Sequence, residues 1–438
     1  MNAIEDPHSR KPFRIAIIGG GLGGLALAIG LIKHGINVHI YEAAATFSEI
    51  GAGVAFGPNS VRALGLIDES ILRSYKKHAT FNEDPKRQHT FLSLRYGMDS
   101  RNGNGKSCGD LIMHMEDDQE MDKWTGTRTR SCIHRAKFLD ELIQLVPAGI
   151  VSFGKALVSV GGFPGEESGV NGVRLHFSDG STATASAIVG CDGIKSKTRE
   201  AILGNSINPK FTGEYAYRAL IPRDVALKAL GEELACNGQL YCGYGGYIIT
   251  YPVEHGELTN IVAVRRKNGA TWEDSQWVIS STKDEMLRDF EGWHPAVIDL
   301  ISRSLAQERW ALFDLQHSAK YYKGTVCLLG DSAHASTPHI GAGAGMAMED
   351  AFLLSNLVGT IRDQTELEKV FQAFDAVRRP RTQTVVEYSM LSGLAYEFMK
   401  DDVGDDFSRL QADISARFEW LWHEDLEAQL LRARKLMG

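Results

Sequence analysis

The feature that most constrains this chain is a glycine-rich apolar stretch, RIAIIGGGLGGLALAIGLIKHGINVHIYE, at residues 14–42. It carries no charge between Arg14 and Lys33, so a membrane anchor and a secretion signal are alternatives to test. Five of residues 19–24 are glycine, and each would cost the interior of a spanning helix up to about 1 kcal/mol relative to alanine. No small-residue cleavage site of the kind a signal peptide requires precedes Lys33. We therefore expect neither an anchor nor a signal.

The same stretch is typical of a strand, a tight turn and a helix. Residues 13–18 form a short β-branched run suited to a buried strand, and residues 25–33 have the length of a helix. Between them, Gly19, Gly21 and Gly24 match G-x-G-x-x-G. In this motif the first glycine permits the turn, the second lets a pyrophosphate approach the backbone, and the third lets the helix pack on the strand.

Glu42 is an acidic residue at the end of a second predicted strand, INVHIYE. An acid about 20 residues after the glycines binds ribose hydroxyls in dinucleotide-binding units. Strand, turn, helix, strand and terminal acid in this order predict a βαβ unit for an adenine dinucleotide.

Two later stretches repeat the pattern of a strand followed by a polar or glycine-rich loop. ATASAIVGCDGIKSKTRE places a strand over residues 187–190 before Asp192. GTVCLLGDSAHASTPHIGAGAGMAMEDAFLLSNLVG places one over residues 326–329, before Asp331 and a glycine-rich entry into a helix. The carboxyl ends of parallel strands meet at one edge of a sheet, so these junctions predict one large ligand there.

Composition limits the possible partners and location. A chain of 438 residues exceeds a single core and predicts two or three structural units. A net charge of −8 without a Lys/Arg-rich run argues against nucleic acid and a membrane surface as partners. The six cysteines form no C-x-x-C pair and predict buried thiols in a reducing, cytoplasmic location. Residues 83–123, with RNGNGK and EDDQEMD, look the least ordered.

Taken together, the motifs resemble those of the FAD-dependent aromatic hydroxylases. The resemblance rests on GGGLGG followed by Glu42, then CDG, then GDSAH with PHIGAGAG and MED, and it spans roughly residues 14–381. The segments YRALIP, EIGAG and WLWHEDLEAQ are most similar to fungal-type salicylate hydroxylases and to relatives that hydroxylate alkylated resorcinols in polyketide pathways. Many members have glutamine where this chain has Ala342, and the fungal branch often shares the alanine.

The architecture we expect is α/β, with a Rossmann-like FAD-binding domain built on a parallel sheet. A mixed or antiparallel substrate-binding sheet interrupts this domain, and C-terminal helices follow. The expected bounds are 11–203 and 312–378 for the FAD domain, 204–311 for the substrate sheet and 379–438 for the C-terminal helices. Near the last boundary, Thr365 and Glu368 predict a capping box, and Pro380 is expected to end a helix after Arg379.

The resemblance also implies which residues bind FAD. Glu42 would hold the adenosine ribose, Arg135 the phosphate or flavin edge, and Asp331 the ribityl or pyrophosphate portion. The full expected set is Gly19, Gly21, Gly24, Glu42, Gly53, Arg135, Asp331, Gly341, Gly343 and Ala344. An ordinary cation at a helix start is the alternative for Arg135, and a turn residue is the alternative for Asp192. His334 and His339 lie on a loop without a third ligand nearby, so no metal is expected.

Enzymes of the resembled kind reduce FAD with NADH or NADPH, add dioxygen at flavin C4a, and pass oxygen from the C4a-hydroperoxide to a phenolic ring. The expected reaction is decarboxylative hydroxylation of salicylate to catechol, with dearomatising hydroxylation of an alkylated resorcinaldehyde as the alternative. The nicotinamide donor should bind transiently, because no second dinucleotide fingerprint occurs. A nicotinamide-only dehydrogenase would leave GDSAH and the glycine loop unexplained, and a non-catalytic escort or binding protein would lack the flavin.

Two residues in the middle of the chain are the expected catalytic pair. Residues 215–222 and 247–253 alternate like strands of a mixed or antiparallel sheet, and this places Arg218 and Tyr251 on otherwise apolar faces. A cation there is costly unless it is paired. An ion pair with a neighbouring carboxylate is one interpretation. The resemblance favours the other, in which Arg218 faces the substrate phenolate or carboxylate and Tyr251 donates a hydrogen bond beside it.

Overall fold

The computed structural model describes residues 11–47, 53–103, 105–116, 131–162, 172–267, 269–304 and 308–438. Within these residues, a six-stranded and an eight-stranded sheet are accompanied by a three-stranded and a two-stranded sheet. Helices cover the six-stranded sheet and follow at the C-terminus. This confirms the predicted α/β fold.

The six-stranded sheet carries the first glycine motif. Its strands, in spatial order, are Tyr322–Lys323, Val326–Leu328, Ala187–Gly190, Arg14–Ile18, Asn37–Tyr41 and Val151–Ser152. All neighbours are parallel except the first pair, which is antiparallel. The central strands are buried on both faces, which explains their continuous apolar runs. Three of the predicted strand–loop junctions therefore lie at one edge of this sheet.

The eight-stranded sheet is mixed, as predicted. Its strands, in spatial order, are Val278–Ser280, Glu308–Asp314, Lys210–Pro222, Leu258–Arg266, Gly246–Val253, Gln239–Gly243, Thr90–Tyr96 and Leu111–Glu116. Neighbours are antiparallel except Gln239–Gly243 and Thr90–Tyr96, which are parallel. One apolar cluster packs between this sheet and the C-terminal helices, and another surrounds the six-stranded sheet.

The remaining elements connect and cover the two large sheets. The small sheets consist of Leu157–Gly161, Val173–Phe177 and Thr182–Ala185, and of Gly53–Phe56 and Ser131–His134. The α-helices are Leu22–Lys33, Pro58–Ile67, Glu69–His78, Arg135–Leu145, Lys197–Leu203, Arg223–Leu230, Glu232–Ala235, Lys283–Asp289, Pro295–Ser302, Asp331–His334, Gly343–Val358, Leu367–Tyr396, Phe407–Trp422 and Leu426–Met437. The short 3-10 helices are Pro85–Arg87, Gly204–Ser206, Glu254–Gly256, Pro338–Ile340 and Gln364–Glu366.

The expectation of little order in residues 83–123 is wrong where the structure describes them. Thr90–Tyr96 and Leu111–Glu116 are strands at one side of the eight-stranded sheet. Thr90–Tyr96 pairs with Gln239–Gly243, far along the chain, and Leu111–Glu116 pairs with Thr90–Tyr96. Polar loops around these strands hide the pairing in the sequence. Residues 104 and 117–123 lie outside the described part, as do residues 49–52 of the EIGAG segment.

The expectation that Pro380 ends a helix is also wrong, because the helix Leu367–Tyr396 runs through it. Arg378 and Arg381, on either side of the proline, donate to Glu349 Oε2 at 2.6 and 2.8 Å. Both turns are thereby tied to the same buried carboxylate on a neighbouring helix. Proline in a helix interior costs about 3 kcal/mol, and these contacts offset that cost.

The predicted capping box of Thr365 and Glu368 does not form. Thr365 lies in the 3-10 helix Gln364–Glu366, where the Asp363 carboxylate accepts hydrogen bonds from the Thr365 N–H at 2.8 Å and from its hydroxyl at 2.7 Å. An Asp side chain readily binds the backbone two residues ahead of it, and here it replaces the box.

The cysteines and the domain division complete the comparison with the sequence. The structure describes all six cysteines as thiols outside any disulfide; Cys108 and Cys191 are partly exposed and the other four are buried. No helix among the described residues is long and apolar enough to cross a membrane. The division into a two-part FAD domain, a substrate sheet and a C-terminal segment stays a prediction.

Candidate active site

A cavity of about 330 Å³ lies between the carboxyl edge of the six-stranded sheet and one face of the eight-stranded sheet. Its wall includes nine of the predicted site residues, namely Gly21, Gly53, Arg135, Arg218, Tyr251, Asp331, Gly341, Gly343 and Ala344. The other three do not line the cavity: Gly19 and Gly24 belong to the glycine turn but pack against the protein, and Glu42 lies against this turn. The fold thus brings residues from across the chain to one place.

The three motif glycines serve different purposes. Gly19 has a φ of +100°, and a Cβ there would lie 2.4 Å from the Cys191 carbonyl oxygen. A Cβ at Gly24 would lie 2.2 Å from the Gly19 carbonyl oxygen. Gly21 has an ordinary φ of −70°, and nothing lies within 4 Å of its Cβ position. Packing therefore requires Gly19 and Gly24, whereas Gly21 leaves open space at the cavity wall.

Glu42 lies at the end of its strand, against the glycine turn. Its Oε2 accepts a hydrogen bond from the Gly20 N–H at 2.7 Å, and its Oε1 accepts one from the Ala44 N–H at 2.8 Å. The carboxylate therefore holds the turn in place from outside the cavity wall. Its predicted contact with a ribose stays a prediction.

Three helices of more than ten residues begin at this cavity without a capping side chain. They are Leu22–Lys33, Arg135–Leu145 and Gly343–Val358, and none of their N-cap side chains makes a capping hydrogen bond. The first N–H groups of a helix lack partners within the helix and carry partial positive charge. Their convergence, together with Arg135, favours negatively charged groups in the cavity.

The aspartates of the two loops have different surroundings. Asp192 accepts hydrogen bonds from the Ser196 hydroxyl at 2.6 Å and from the Thr198 N–H and hydroxyl at 2.9 and 3.0 Å. This confirms the turn role considered for it. Asp331 is exposed and lines the cavity at the start of its short helix.

Arg218 is a partly buried cation on the cavity-facing side of the eight-stranded sheet. It pairs in register with Val262, which pairs with Ile249, and its guanidinium lies 5.0 Å from the centroid of the Trp310 ring. Burial lowers the pKa of the Arg218 guanidinium. In the part of the chain that the structure describes, no carboxylate pairs with Arg218, and its Nε has no hydrogen-bond partner. The described residues therefore provide no carboxylate for the ion pair that was the alternative interpretation of Arg218.

Tyr251 and Asn260 lie side by side on the same face. They pair in register, the Tyr251 hydroxyl donates to the Gly53 carbonyl at 2.9 Å, and Asn260 Oδ1 accepts from the Gly53 N–H at 3.3 Å. Asn260 Nδ2 is buried and lacks a partner among the described residues. The cavity wall therefore offers a second unsatisfied donor besides Arg218.

Sequence reasoning missed Asn260 and the roles of Tyr247 and His339. Asn260 could have been noticed as a polar residue within an apolar strand, LTNIVAV. The sequence raises only a metal-ligand role for His339, but its Nδ1 lies 2.7 Å from the Tyr247 hydroxyl, and both residues line the cavity. His334 Nε2 lies 2.6 Å from Asp350 Oδ2. Among the described residues, no group of three or more His, Cys, Asp or Glu side chains could hold a metal ion.

The fold and this site define a flavoprotein, and the chain belongs to the FAD binding domain family, whose model matches residues 13–389. It is 40% identical over 420 residues to the 6-methylsalicylate 1-monooxygenase of Aspergillus terreus, covering 95% of this chain and 90% of that protein. It is 35% identical over 451 residues to a salicylate hydroxylase of Pseudomonas putida, covering 99% and 97%. A solved salicylate hydroxylase substrate complex has a TM-score of 0.83 at 34% identity, covering 97% of this chain and 98% of that one.

The chain is therefore a flavin-dependent aromatic monooxygenase of the salicylate hydroxylase type. This confirms the predicted family and cofactor and decides against a nicotinamide-only dehydrogenase and a non-catalytic binding protein. The described residues fit FAD. Gly21 leaves space for a group against its backbone, and three uncapped helix N-termini face the same cavity.

Proposed function

We propose that this enzyme hydroxylates a small phenolic acid, and that salicylate is converted to catechol with loss of carbon dioxide. The observation that carries the proposal is Arg218, a partly buried cation that faces the cavity and pairs with no carboxylate among the described residues. The names of the two relatives, a 6-methylsalicylate monooxygenase and a salicylate hydroxylase, point to the same class of substrate.

An anionic substrate would satisfy the groups that the protein leaves unpaired. Burying a guanidinium without a partner is costly, and a carboxylate or phenolate removes that cost through charge-assisted hydrogen bonds. Asn260 Nδ2 supplies a second donor on the same face. The Tyr251 hydroxyl lies beside both, so a compact ring with two oxygen substituents matches this end of the cavity.

The remaining lining residues divide between the cofactor and the exclusion of water. The backbone at Gly21, the segment 341–344, Arg135 and Asp331 would hold FAD, with Glu42 beside them. When bound, FAD supplies the activation of dioxygen with electrons from NADH or NADPH. Apolar side chains, among them Phe91, Leu92, Ile249 and Val262, line the same cavity and keep water from the ring.

Arg218 would also act on the reactivity of the substrate. A nearby cation lowers the pKa of a phenol and favours the phenolate, which is the more electron-rich ring. The chain's own contribution is therefore to bind the ring, to orient it and to hold its oxygen in the anionic form.

A substrate screen tests the proposal directly. Purified enzyme with FAD is supplied with NADH or NADPH and with salicylate, 6-methylsalicylate or an alkylated resorcinaldehyde, and product, carbon dioxide and nicotinamide oxidation are measured together. We expect one catechol-type product and one carbon dioxide per nicotinamide oxidised with a salicylate. If only the resorcinaldehyde were turned over, phenolic acids would be wrong as the substrate class. If none of the three were turned over, the assignment would be limited to aromatic hydroxylation without a substrate.

Arg218→Ala tests the role of the guanidinium. The variant should keep FAD and still be reduced, but product formation should fall by about ten- to two-hundredfold, since a charge-assisted bond contributes about 1.5–3 kcal/mol. Hydrogen peroxide should replace the missing product. Arg309→Ala is the matched control, because the Arg309 guanidinium also lies over an aromatic ring of this sheet, that of Tyr215 at 5.6 Å, but does not line the cavity. If Arg218→Ala coupled nicotinamide oxidation to product formation as well as the wild type does, the role of Arg218 would be structural and not catalytic.

A further inference from the structure

Asn260 is a buried amide in the cavity wall, and only one of its two ends has a partner. Its Oδ1 accepts a hydrogen bond from the Gly53 N–H at 3.3 Å. Its Nδ2 is buried and has no hydrogen-bond partner among the described residues. The side chain as a whole is 3% exposed, and it lines the cavity. A buried N–H group without an acceptor is costly, so this position indicates a ligand that supplies one.

The contact with Gly53 determines which end of the amide is left over. A backbone N–H can only donate, so the end of the Asn260 side chain that faces Gly53 must be the amide oxygen. The other end, Nδ2, carries two hydrogens and acts only as a donor. A ligand group that binds this end of Asn260 must therefore be a hydrogen-bond acceptor.

Tyr251, which pairs in register with Asn260, has already used its hydrogen. A hydroxyl carries one hydrogen, and the Tyr251 hydroxyl donates it to the Gly53 carbonyl at 2.9 Å. The ring also packs on Gly53, since a Cβ at that glycine would lie 2.6 Å from Tyr251 Cε2. Both contacts hold Tyr251 against Gly53, so the neutral donor that is left for the cavity is Asn260.

Asn260 is a neighbour of Arg218 on the same face of the sheet. Arg218 pairs with Val262, two residues along the strand from Asn260, and alternate residues of a strand share a face. Side chains at such diagonal positions are within reach of one another and can bind one small ligand together. The phenolate oxygen of a phenolic acid is the group that Arg218 stabilises in the proposed function, and this leaves the acid group for Asn260.

We propose that Asn260 Nδ2 donates a hydrogen bond to the acid group of the substrate, and that Asn260, not Tyr251, selects phenols that carry such a group. A carboxylate suits this position, because its oxygens only accept hydrogen bonds and because a hydrogen bond to a charged group is stronger than one to a neutral carbonyl. The inference rests on the proposed function, because it takes a phenolic acid as the substrate.

Ligand affinity without turnover tests this assignment. FAD-loaded enzyme without nicotinamide is titrated with salicylate and with phenol, which lacks the acid group, and the flavin absorbance gives both dissociation constants. Two variants remove the donor in different ways: Asn260→Leu adds no charge, whereas Asn260→Asp keeps an oxygen for the Gly53 N–H. In both variants the preference for salicylate over phenol should fall by about tenfold or more, the size of one hydrogen bond to a charged group.

Thr250→Val is the matched control. Thr250 precedes Tyr251 in the same strand, and its hydroxyl is also buried without a partner among the described residues, but its side chain does not line the cavity. The valine should leave the preference for salicylate unchanged. Tyr251→Phe removes the hydrogen bond to the Gly53 carbonyl and keeps Asn260 Nδ2, so this variant should also retain the preference.

A loss of preference confined to Asn260→Leu would show that Asn260 only supports Gly53, and a loss confined to Asn260→Asp would show only repulsion by the new charge. Either result would overturn the inference, as would an unchanged preference in both variants or an equal loss in Thr250→Val. A loss in Tyr251→Phe alone would return the contact to the tyrosine.

If Asn260→Leu does not retain FAD, an unchanged preference in Asn260→Asp refutes the inference by itself. A wild-type enzyme that binds neither salicylate nor phenol would instead count against the proposed function.

Discussion

Replacing Gly21 with valine should empty the cofactor site without unfolding the protein. The Cβ position of Gly21 has no atom within 4 Å, and its φ of −70° suits any residue. The new Cβ would therefore meet no protein atom, and the side chain would occupy the cavity wall, where we propose that FAD binds. The variant separates a loss of cofactor from a loss of fold.

The expected losses of folding stability and of FAD affinity follow from the two sides of Gly21, which begins a helix and also lines the cavity. Gly21 is the N-cap of the helix Leu22–Lys33 and makes no side-chain cap, so an apolar residue there costs the fold about 1 kcal/mol or less. A hydrogen bond from a backbone N–H to a phosphate is charge-assisted and contributes about 1.5–3 kcal/mol. At 1.4 kcal/mol per tenfold, FAD affinity should fall by about ten- to 150-fold for each such hydrogen bond that the valine prevents.

The assay compares the flavin content, the FAD dissociation constant and the thermal unfolding midpoint of the apoprotein. Gly21→Val should be colourless after purification and should unfold within a few degrees of the wild-type apoprotein. Gly19→Ala is the control, because its Cβ would lie 2.4 Å from the Cys191 carbonyl oxygen and should destabilise the fold itself. Full flavin content and unchanged affinity in Gly21→Val would refute the assignment of this turn to the cofactor.

Three further expectations concern the neighbouring residues. Glu42→Ala should weaken FAD binding less than Gly21→Val, because ribose contacts are redundant with phosphate contacts; an equal loss in titrations would contradict this. Tyr251→Phe should lower coupled product formation in the same direction as Arg218→Ala but less, since the Tyr251 hydroxyl is neutral and already donates to the Gly53 carbonyl, and a larger loss would reverse the ranking. Burial alone would raise the pKa of Glu349, but Arg381 and Arg378 lower it to about 2. Its stabilising effect is complete above the ordinary carboxyl pKa and is lost as pH falls toward 2, so unfolding midpoints should drop between pH 5 and 3, and constant midpoints would argue against it.

Features that depend on short-range geometry could be predicted from the residues alone. The strand, turn and helix around Gly19, Gly21 and Gly24 follow from steric limits on adjacent residues, so a spacing of glycines predicts them. The alternation of side chains along a strand placed Arg218 and Tyr251 each on an otherwise apolar face of its own strand, and the register of the sheet brings the two faces together. The resemblance to the aromatic hydroxylases then predicted that the bound dinucleotide is FAD.

Features that depend on residues far apart in the chain could not be predicted and became visible in the folded protein. The strand Thr90–Tyr96 exists because it pairs with Gln239–Gly243, and local patterning does not report such a partner. The sequence does not predict a role for Asn260, because a polar side chain in an apolar strand indicates a binding site only when the fold places it beside a cavity.

The helix through Pro380 shows the same limit. Proline does tend to end a helix. Here, however, Arg378 and Arg381 both bind the buried carboxylate of Glu349 on another helix, and these contacts hold the turns on either side of Pro380. Likewise, His339 stands alone in the sequence, and only folding brings Glu214 and Tyr247 to its two nitrogens. Burial makes these distant contacts strong enough to override local preference, because a polar group removed from water must find its partner within the fold.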